Sequence, residues 1–380
     1  MSLDARNVAE AFPPGEFIKE ELEARGWTQE DLAEITGRQS SIISGLVNGK
    51  RAVSPDIASE LSAAFGTTAQ FWMNLETAYR LFVGGRHPDE TVARKARLYA
   101  KAPIKEMVKR GWVEESKSLD VLEDRVLKFL EIPSLDEEPA LSYAAKKSTP
   151  TANPSQVAWI CRAKKLAKGV HANKFSDRGF ANALAKLKEF RTNPEDVRHI
   201  PKVLAEGGVR LLLIESLPQG KIDGACFWLD EFSPVIAISM RYDRIDHFWY
   251  LLGHEAGHVE HKDALGGQPL LDVDLVGDQA IPFEDKTETE KRADLFAENF
   301  LVDKREINNF IARVRPLYSK QKIRNFAARI GVHPAIVLGR LQHRKEVGWS
   351  HSREMLVKVR HILIPAALTD GWGNHLPAST

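Results

Sequence analysis

His254 and His258, four residues apart with Glu255 between them, are the part of this chain best equipped for chemistry. On a helix, a spacing of four puts both imidazoles on one face, one turn apart. Two such imidazoles can grip one metal ion, and the glutamate beside them can act as a base toward water. The bland alternative is a solvated or core-satisfied histidine pair. A third ligand weighs against it. Residues 287–302 read as a helix on which Glu290 and Asp294, again four apart, face the same way. Glu290 completes a two-histidine, one-carboxylate set for zinc with a fourth position open, and Asp294 is suited to accept the outer N–H of a ligating imidazole. Zinc held there would activate water, Glu255 would take its proton and pass it to a leaving nitrogen, and the reaction would be peptide hydrolysis. No residue stands out to steady the oxyanion. His261, His247, Tyr250 and Tyr242 are the neighbours in sequence, and each is equally readable as helix surface.

The elements that must position these groups follow from pattern. Three apolar runs, 209–214, 225–229 and 235–239, are separated by Pro218-Gln219-Gly220 and Ser233-Pro234 and read as strands. A helix from about 242 to 262 then carries the two histidines, with Phe248, Leu251, Leu252 and Val259 on its other side, so that its metal face looks into a cleft. Residues 84–195 look helical, with breaks at 133–139 and 146–154. Trp159, Ile160, Leu166, Phe180, Leu184 and Leu187 fall at helical spacings and are expected in a core. Near 326–341 a helix–glycine–helix pattern reads either as a second DNA reader or as packing for the hydrolytic domain. The tail beyond Pro365 is expected to be disordered or weakly docked.

The first eighty residues have a different character. Five short helices are punctuated by Gly37, Asn48-Gly49 and Gly66, with Thr28, Ser54 and Thr67 or Thr68 as caps. Leu32, Ala33 and Ile35, and then Ile42, Ile43 and Leu46, supply the apolar positions of two helices joined by a tight glycine turn, the helix-turn-helix unit. Its second helix would enter the major groove, with Arg38, Gln39, Ser40, Ser41 and Ser44 toward bases. Thr28, Gln29, Asn48, Lys50 and Arg51 would complete the DNA-binding surface, the last two suiting phosphates. A ligand-free helical bundle is the plain alternative.

Trp27 through Ala33, Ile43 through Arg51 and Phe71-Trp72-Met73-Asn74-Leu75 resemble the Cro/C1-type (XRE) helix-turn-helix of HigA-like antitoxins. The resemblance implies a homodimer on a palindromic double-stranded DNA operator, usually the protein's own promoter, and raises the question of a cognate toxin. Residues 160–345 resemble the ImmA/IrrE metallopeptidases, through Leu217-Pro218 to Ala225, Phe248 to His258 and Glu290 to Leu301. That resemblance implies a gluzincin-like site, with His254, His258 and Glu290 as zinc ligands, Glu255 as base and a regulatory protein as substrate. The chain departs from the family at Arg292, where a glutamate is usual, at Asp294 in place of asparagine, and at Val302-Asp303. Arg292 is a natural ion partner for Asp294.

The fold class expected is thus multidomain: an all-α helix-turn-helix domain (1–83), a helical linker region (84–158), an α+β zincin-like domain with a small sheet (159–345) and a C-terminal extension (346–380). At 380 residues, 43% hydrophobic and 28% charged, the chain suits two or three soluble domains. No apolar run reaches the about 18 residues of a membrane span. The first residues lack an export signal, and two distant cysteines suit a reducing cytoplasm. Charge is uneven: Lys and Arg against Asp and Glu stand at 7 to 12 over residues 1–83, 21 to 14 over 84–190 and 25 to 26 beyond. The DNA reader is therefore acidic, which excludes strong non-specific binding to nucleic acid. The basic middle reads as phosphate-contacting or as ordinary solvated helix. Two functions remain: a transcriptional autorepressor with a peptidase that cuts a regulatory protein or itself, or a non-enzymatic antitoxin that uses a peptidase-like fold for binding.

Overall fold

The computed structural model describes residues 11–84, 90–139, 153–275 and 281–376. The chain divides into two compact units, 1–94 and 95–380. The first is all helical: α1 (Pro14–Arg25), α2 (Gln29–Thr36), α3 (Ser40–Val47), α4 (Pro55–Phe65) and α5 (Ala69–Val83). Local chemistry sets each boundary. Thr28 and Asp31 form a reciprocal capping box at the start of α2, and Gly37, at φ 65°, closes it in the left-handed conformation that only glycine adopts cheaply. Ser54 and Thr68 cap α4 and α5. Ile18, Leu32, Ile43, Leu46, Leu61 and Trp72 build the core. Ile35, expected there, is 49% exposed because it lies on the outer face of the short α2.

The division between units falls within α6 (Glu90–Lys101). Beyond it come α7 (Ile104–Lys109), α8 (Leu119–Leu130), α9 (Pro154–Ala167), α10 (Asp177–Leu187) and α11 (Ile200–Glu206). Strands β1 (Arg210–Ile214), β2 (Ile222–Trp228) and β3 (Pro234–Ile238) precede α12 (Ile245–Glu260), β4 (Leu270–Val273) and α13 (Glu288–Leu301). Then follow α14 (Lys304–Val314), α15 (Lys320–Ile330), α16 (Pro334–His343), α17 (Arg360–Leu363), β5 (Leu368–Gly371) and β6 (Asn374–Leu376). The strands form one mixed sheet in the order β4-β2-β3-β1-β5-β6. Helices cover both faces. Leu211, Leu213, Ile236 and Ile238 point into a core shared with α10–α16, whereas Leu212, Ile214, Val235 and Ala237 point into a second core with α8 and α9. Burial on both faces explains why β1 and β3 read as continuous apolar runs rather than as alternation.

Two expectations change and one open alternative closes. The described part of the segment read as a linker packs into the second core through Leu98, Met107, Trp112, Val126 and Phe129. Within it, 133–139 is a turn closed over buried Leu135, while most of the 146–154 break lies outside the described residues. The C-terminal extension is not loosely docked: β5 adds to β1 in parallel, and Asp370, fully buried, accepts Trp112 Nε1 at 3.1 Å and pairs with Arg162. The helix–glycine–helix pattern at α15–α16 resolves as packing, since Ile336, Val337, Leu338 and Leu341 of α16 are buried in the core that includes α12.

The pairing of α12 with α13 carries the site and depends on two glycines. A Cβ on Gly253 would meet Ala297 Cα at 3.1 Å, and one on Gly257 would meet Ala293 Cα and Phe296 Cβ at 3.1 Å. Branched atoms there must push the helices apart. Gly257→Val is expected to destabilise the chain by about 1–3 kcal/mol in denaturant unfolding. Gly257→Ala should fall well short of that loss, because alanine recovers about 1 kcal/mol of helix propensity.

Candidate metal centre

Helix α12 is buried on nearly every side from Ile245 to Val259, more completely than an amphipathic helix facing a cleft would be. His254, Glu255 and His258 each have 0% exposure. One turn apart, the two imidazoles bring their Nε2 atoms to 3.1 Å. Their outer nitrogens are occupied: His254 Nδ1 lies 2.9 Å from Asp294 Oδ1, and His258 Nδ1 lies 2.9 Å from Asp263 Oδ2. When each Nδ1 donates to its carboxylate, the Nε2 lone pairs are the ones available to a metal, and both face one point.

Glu290, near the start of α13, approaches His254 Nε2 at 3.5 Å and His258 Nε2 at 3.9 Å. Asp272 of β4 completes the group, 3.4 Å from His254 Nε2 and 3.9 Å from His258 Nε2. All four donor atoms lie within 4.8 Å of one another. A tetrahedral ion with bonds of about 2.0–2.2 Å has donor-to-donor edges of about 3.3–3.6 Å, which these separations bracket. Buried Glu290 Oε2 has no hydrogen-bond partner among the described residues, as a ligand atom would not. The residues therefore fit a divalent cation such as zinc.

The electrostatics agree. Burial alone would push the His254 pKa down, but the carboxylates of Asp272, Asp294 and Glu290 outweigh it and hold it well above the usual imidazole range. A place that favours a proton so strongly favours a cation. Burial also raises the Glu255 carboxyl well above its usual range, helped by the charges of Asp272 and Glu290. Glu255 rests against the backbone of β2 at Gly224, where a Cβ would come within 2.1 Å of its Oε1, so only glycine leaves room for it. Burial would raise Asp294 as well, but His254 and Lys286 bring it down to about 2.

Of the residues named from sequence, His254, Glu255, His258, Glu290 and Asp294 are brought together. Arg292 is not the partner of Asp294; it reaches Asp263, while Lys286 Nζ takes Asp294 at 2.6 Å. Asp272, Asp263 and Lys286 were missed. The lone acid in the apolar Leu270-Leu271-Asp272-Val273 run was the available signal for Asp272. The four residues considered for the oxyanion lie elsewhere or are committed. Tyr250 donates to Asp294 at 2.8 Å, and His261 Nδ1 meets Gly257 O at 2.7 Å. Tyr242, just before α12, and His247, two helical turns before His254, contact each other edge to face.

In the first unit, Gln39, Ser40 and Ser41 are exposed at the start of α3, with Lys50 and Arg51 exposed just after it. Gln29 and Ser44 are half-buried, and Asn48 Nδ2 is turned onto Ser44 O at 2.8 Å. Thr28 is engaged in its capping box. Arg38 is not free to read guanine: its guanidinium forks onto Glu60, with Nη2 at 2.8 Å from Oε1.

The molecule thus joins a helix-turn-helix unit to a metallopeptidase-like α+β unit. Residues 18–72 match the helix-turn-helix family, and residues 208–342 match the IrrE N-terminal-like domain of the M78 peptidases. Antitoxin HigA-1 of Vibrio cholerae is 41% identical over 69 residues, which are 18% of this chain and 65% of that protein, so the chain spans just under two thirds of its length. Virulence-associated protein I of Dichelobacter nodosus is 37% identical over 83 residues, 21% of this chain and 77% of that protein. Among solved structures, Pseudomonas aeruginosa antitoxin HigA with the higBA promoter shares 32% identity over 20% of this chain and 83% of its own, with a TM-score of 0.19. The chain belongs to the helix-turn-helix family through its first unit, which is similar to HigA antitoxins, and carries an IrrE N-terminal-like domain after it.

Buried His247 is held down to about 4, chiefly by desolvation. An unfolded chain takes up that proton near 6.5, so between pH 6.5 and 4 protons favour unfolding. Stability should fall by about 3 kcal/mol from this residue on going from pH 7 to pH 4. His247→Gln should remove that part of the slope in denaturant melts at the two pH values. Identical slopes would contradict the assignment.

Proposed function

We propose that this protein is a dimeric autorepressor whose second unit is a zinc endopeptidase acting on a regulatory protein or on the chain itself. The observation that carries the hydrolytic half is the buried convergence of His254, His258 and Glu290 beside Glu255. Zinc bound there would supply a Lewis acid and activate water at neutral pH. The chain's own residues do the rest. Asp294 and Asp263 hold the two imidazoles in one tautomer, Lys286 and Tyr250 hold Asp294, and Glu255 is the group placed to take and return a proton. Operator recognition falls to Gln39, Ser40 and Ser41, with Lys50 and Arg51 toward phosphates. The exposed Leu81, Phe82 and Val83 of α5 supply apolar surface for a second copy. The domain division follows the same logic, a reader up to about residue 83 and a catalytic unit that recruits the segment after it. Among the described residues no helix is long and apolar enough to cross a membrane, which suits a regulator acting in the cytoplasm.

One observation favours the second reading, a non-enzymatic antitoxin that uses the peptidase-like unit to hold a toxin or ligand: the metal-facing groups are sealed from solvent. Incubating the zinc-loaded chain alone and with its HigA-type relatives, followed by mass spectrometry, separates the two. Cleavage should fall by about 10²–10⁴-fold in Glu255→Gln, the range expected for loss of a general base. Fragments formed equally by both proteins would contradict catalysis at this site. Operator binding should survive Glu255→Gln, whereas Gln39→Ala should lose about 1–3 kcal/mol of discrimination at one base pair in mobility-shift titrations. An unchanged sequence preference would remove Gln39 from the reading surface.

A further inference from the structure

A hydrolytic zinc site keeps three protein ligands and leaves the fourth position for water or substrate. Here four protein donors converge. Asp272 closes the tetrahedron, and His254, Glu255, His258 and Asp272 are all at 0% exposure. No peptide carbonyl can reach such a centre as it stands.

The element that brings Asp272 in is one of the two edge strands of the sheet. Strand β4 has four residues and lies at the sheet edge, paired only with β2, and the register of that pairing shifts between Ile222 and Gly224. It belongs to the connection between α12 and α13, not to either helix. Its far end is tied by charge. Arg241 donates to both oxygens of Asp223, at 3.0 and 3.2 Å, and to Asp274 at 3.0 Å, while Leu275 N donates to Asp223 at 2.7 Å. Arg241 and Asp274 are each 22% exposed, so the tie reaches solvent although the ligand it secures does not. Asp274 itself sits at φ 47°, a left-handed turn that aspartate tolerates at a cost.

We propose that Asp272 is a displaceable fourth ligand, and that β4 is a latch which holds the metal centre shut until the Arg241 tie is loosened. This rests on the reading of the site as a metal centre. It also reconciles the two functions above: with the latch closed the unit is a stable binding fold, and with it open the same residues form a hydrolytic site.

The test uses the full chain loaded with one equivalent of cobalt(II), whose visible bands report ligand number, and acetohydroxamate as the probe. Wild type should bind one cobalt with bands that barely respond to millimolar probe. Asp272→Ala and the shape-preserving Asp272→Asn should still bind cobalt through the remaining three donors, more weakly than wild type, and should bind acetohydroxamate at least about ten-fold more tightly than wild type. Arg241→Gln keeps all four donors and should still gain at least about three-fold in probe affinity, because the tie is cut. Equal probe binding by wild type and both Asp272 variants would overturn the closed site. An Arg241→Gln chain that behaves as wild type would overturn the latch while leaving Asp272 a fixed ligand. A wild-type chain that takes up no cobalt would overturn the metal reading itself, and this proposal with it.

Discussion

Two imidazole nitrogens 3.1 Å apart, each with its other nitrogen committed to an aspartate, present lone pairs to one point inside the protein. Two carboxylates converge on the same point. Like charges about 4 Å apart repel by about 4 kcal/mol even at an effective dielectric near 20, so this cluster is tolerable only around a positive charge. Much of the second unit serves to hold it. The glycines of α12 let α13 come close enough to deliver Glu290 and Asp294. Gly224 leaves room for Glu255, and Lys286 and Arg292 partly offset the outer aspartates.

How much of this could be read from the chain depended on periodicity. The spacing of four in His254–His258 and again in Glu290–Asp294 is a helical regularity, so both faces were legible before any coordinates. Strands β1 to β3 were legible as apolar runs bounded by turn residues. Asp263 was not, because it lies in the irregular turn after α12, where spacing carries no information about which way a side chain turns, and Asp272 left only the weak signal of a lone acid in the short apolar run of β4. The same limit hid β5: a strand added to a sheet from about 150 residues away leaves no local pattern, and the partners Arg162 and Trp112 of buried Asp370 are more than 200 residues from it. Arg38 illustrates the converse. Its position at the helix-turn-helix suggested a base contact, and its partner Glu60, 22 residues on, became visible only when α4 was in place.

Joining a helix-turn-helix unit to a peptidase-like unit in one chain has a physical consequence. A tether makes any encounter between them, or between their targets, intramolecular, with an effective concentration set by the connection rather than by expression level. A permanently open hydrolytic centre at such a concentration would endanger the helix-turn-helix unit itself. A centre closed by its own edge strand would not, and its opening would then be the regulated event.

Zinc-edge X-ray absorption on the purified, metal-loaded chain tests the central claim most directly. The account predicts one zinc per chain in a four-coordinate shell of two imidazole nitrogens and two carboxylate oxygens, with bonds of about 2.0–2.2 Å. A chain that retains no zinc, or one whose zinc lacks imidazole scattering, would contradict it.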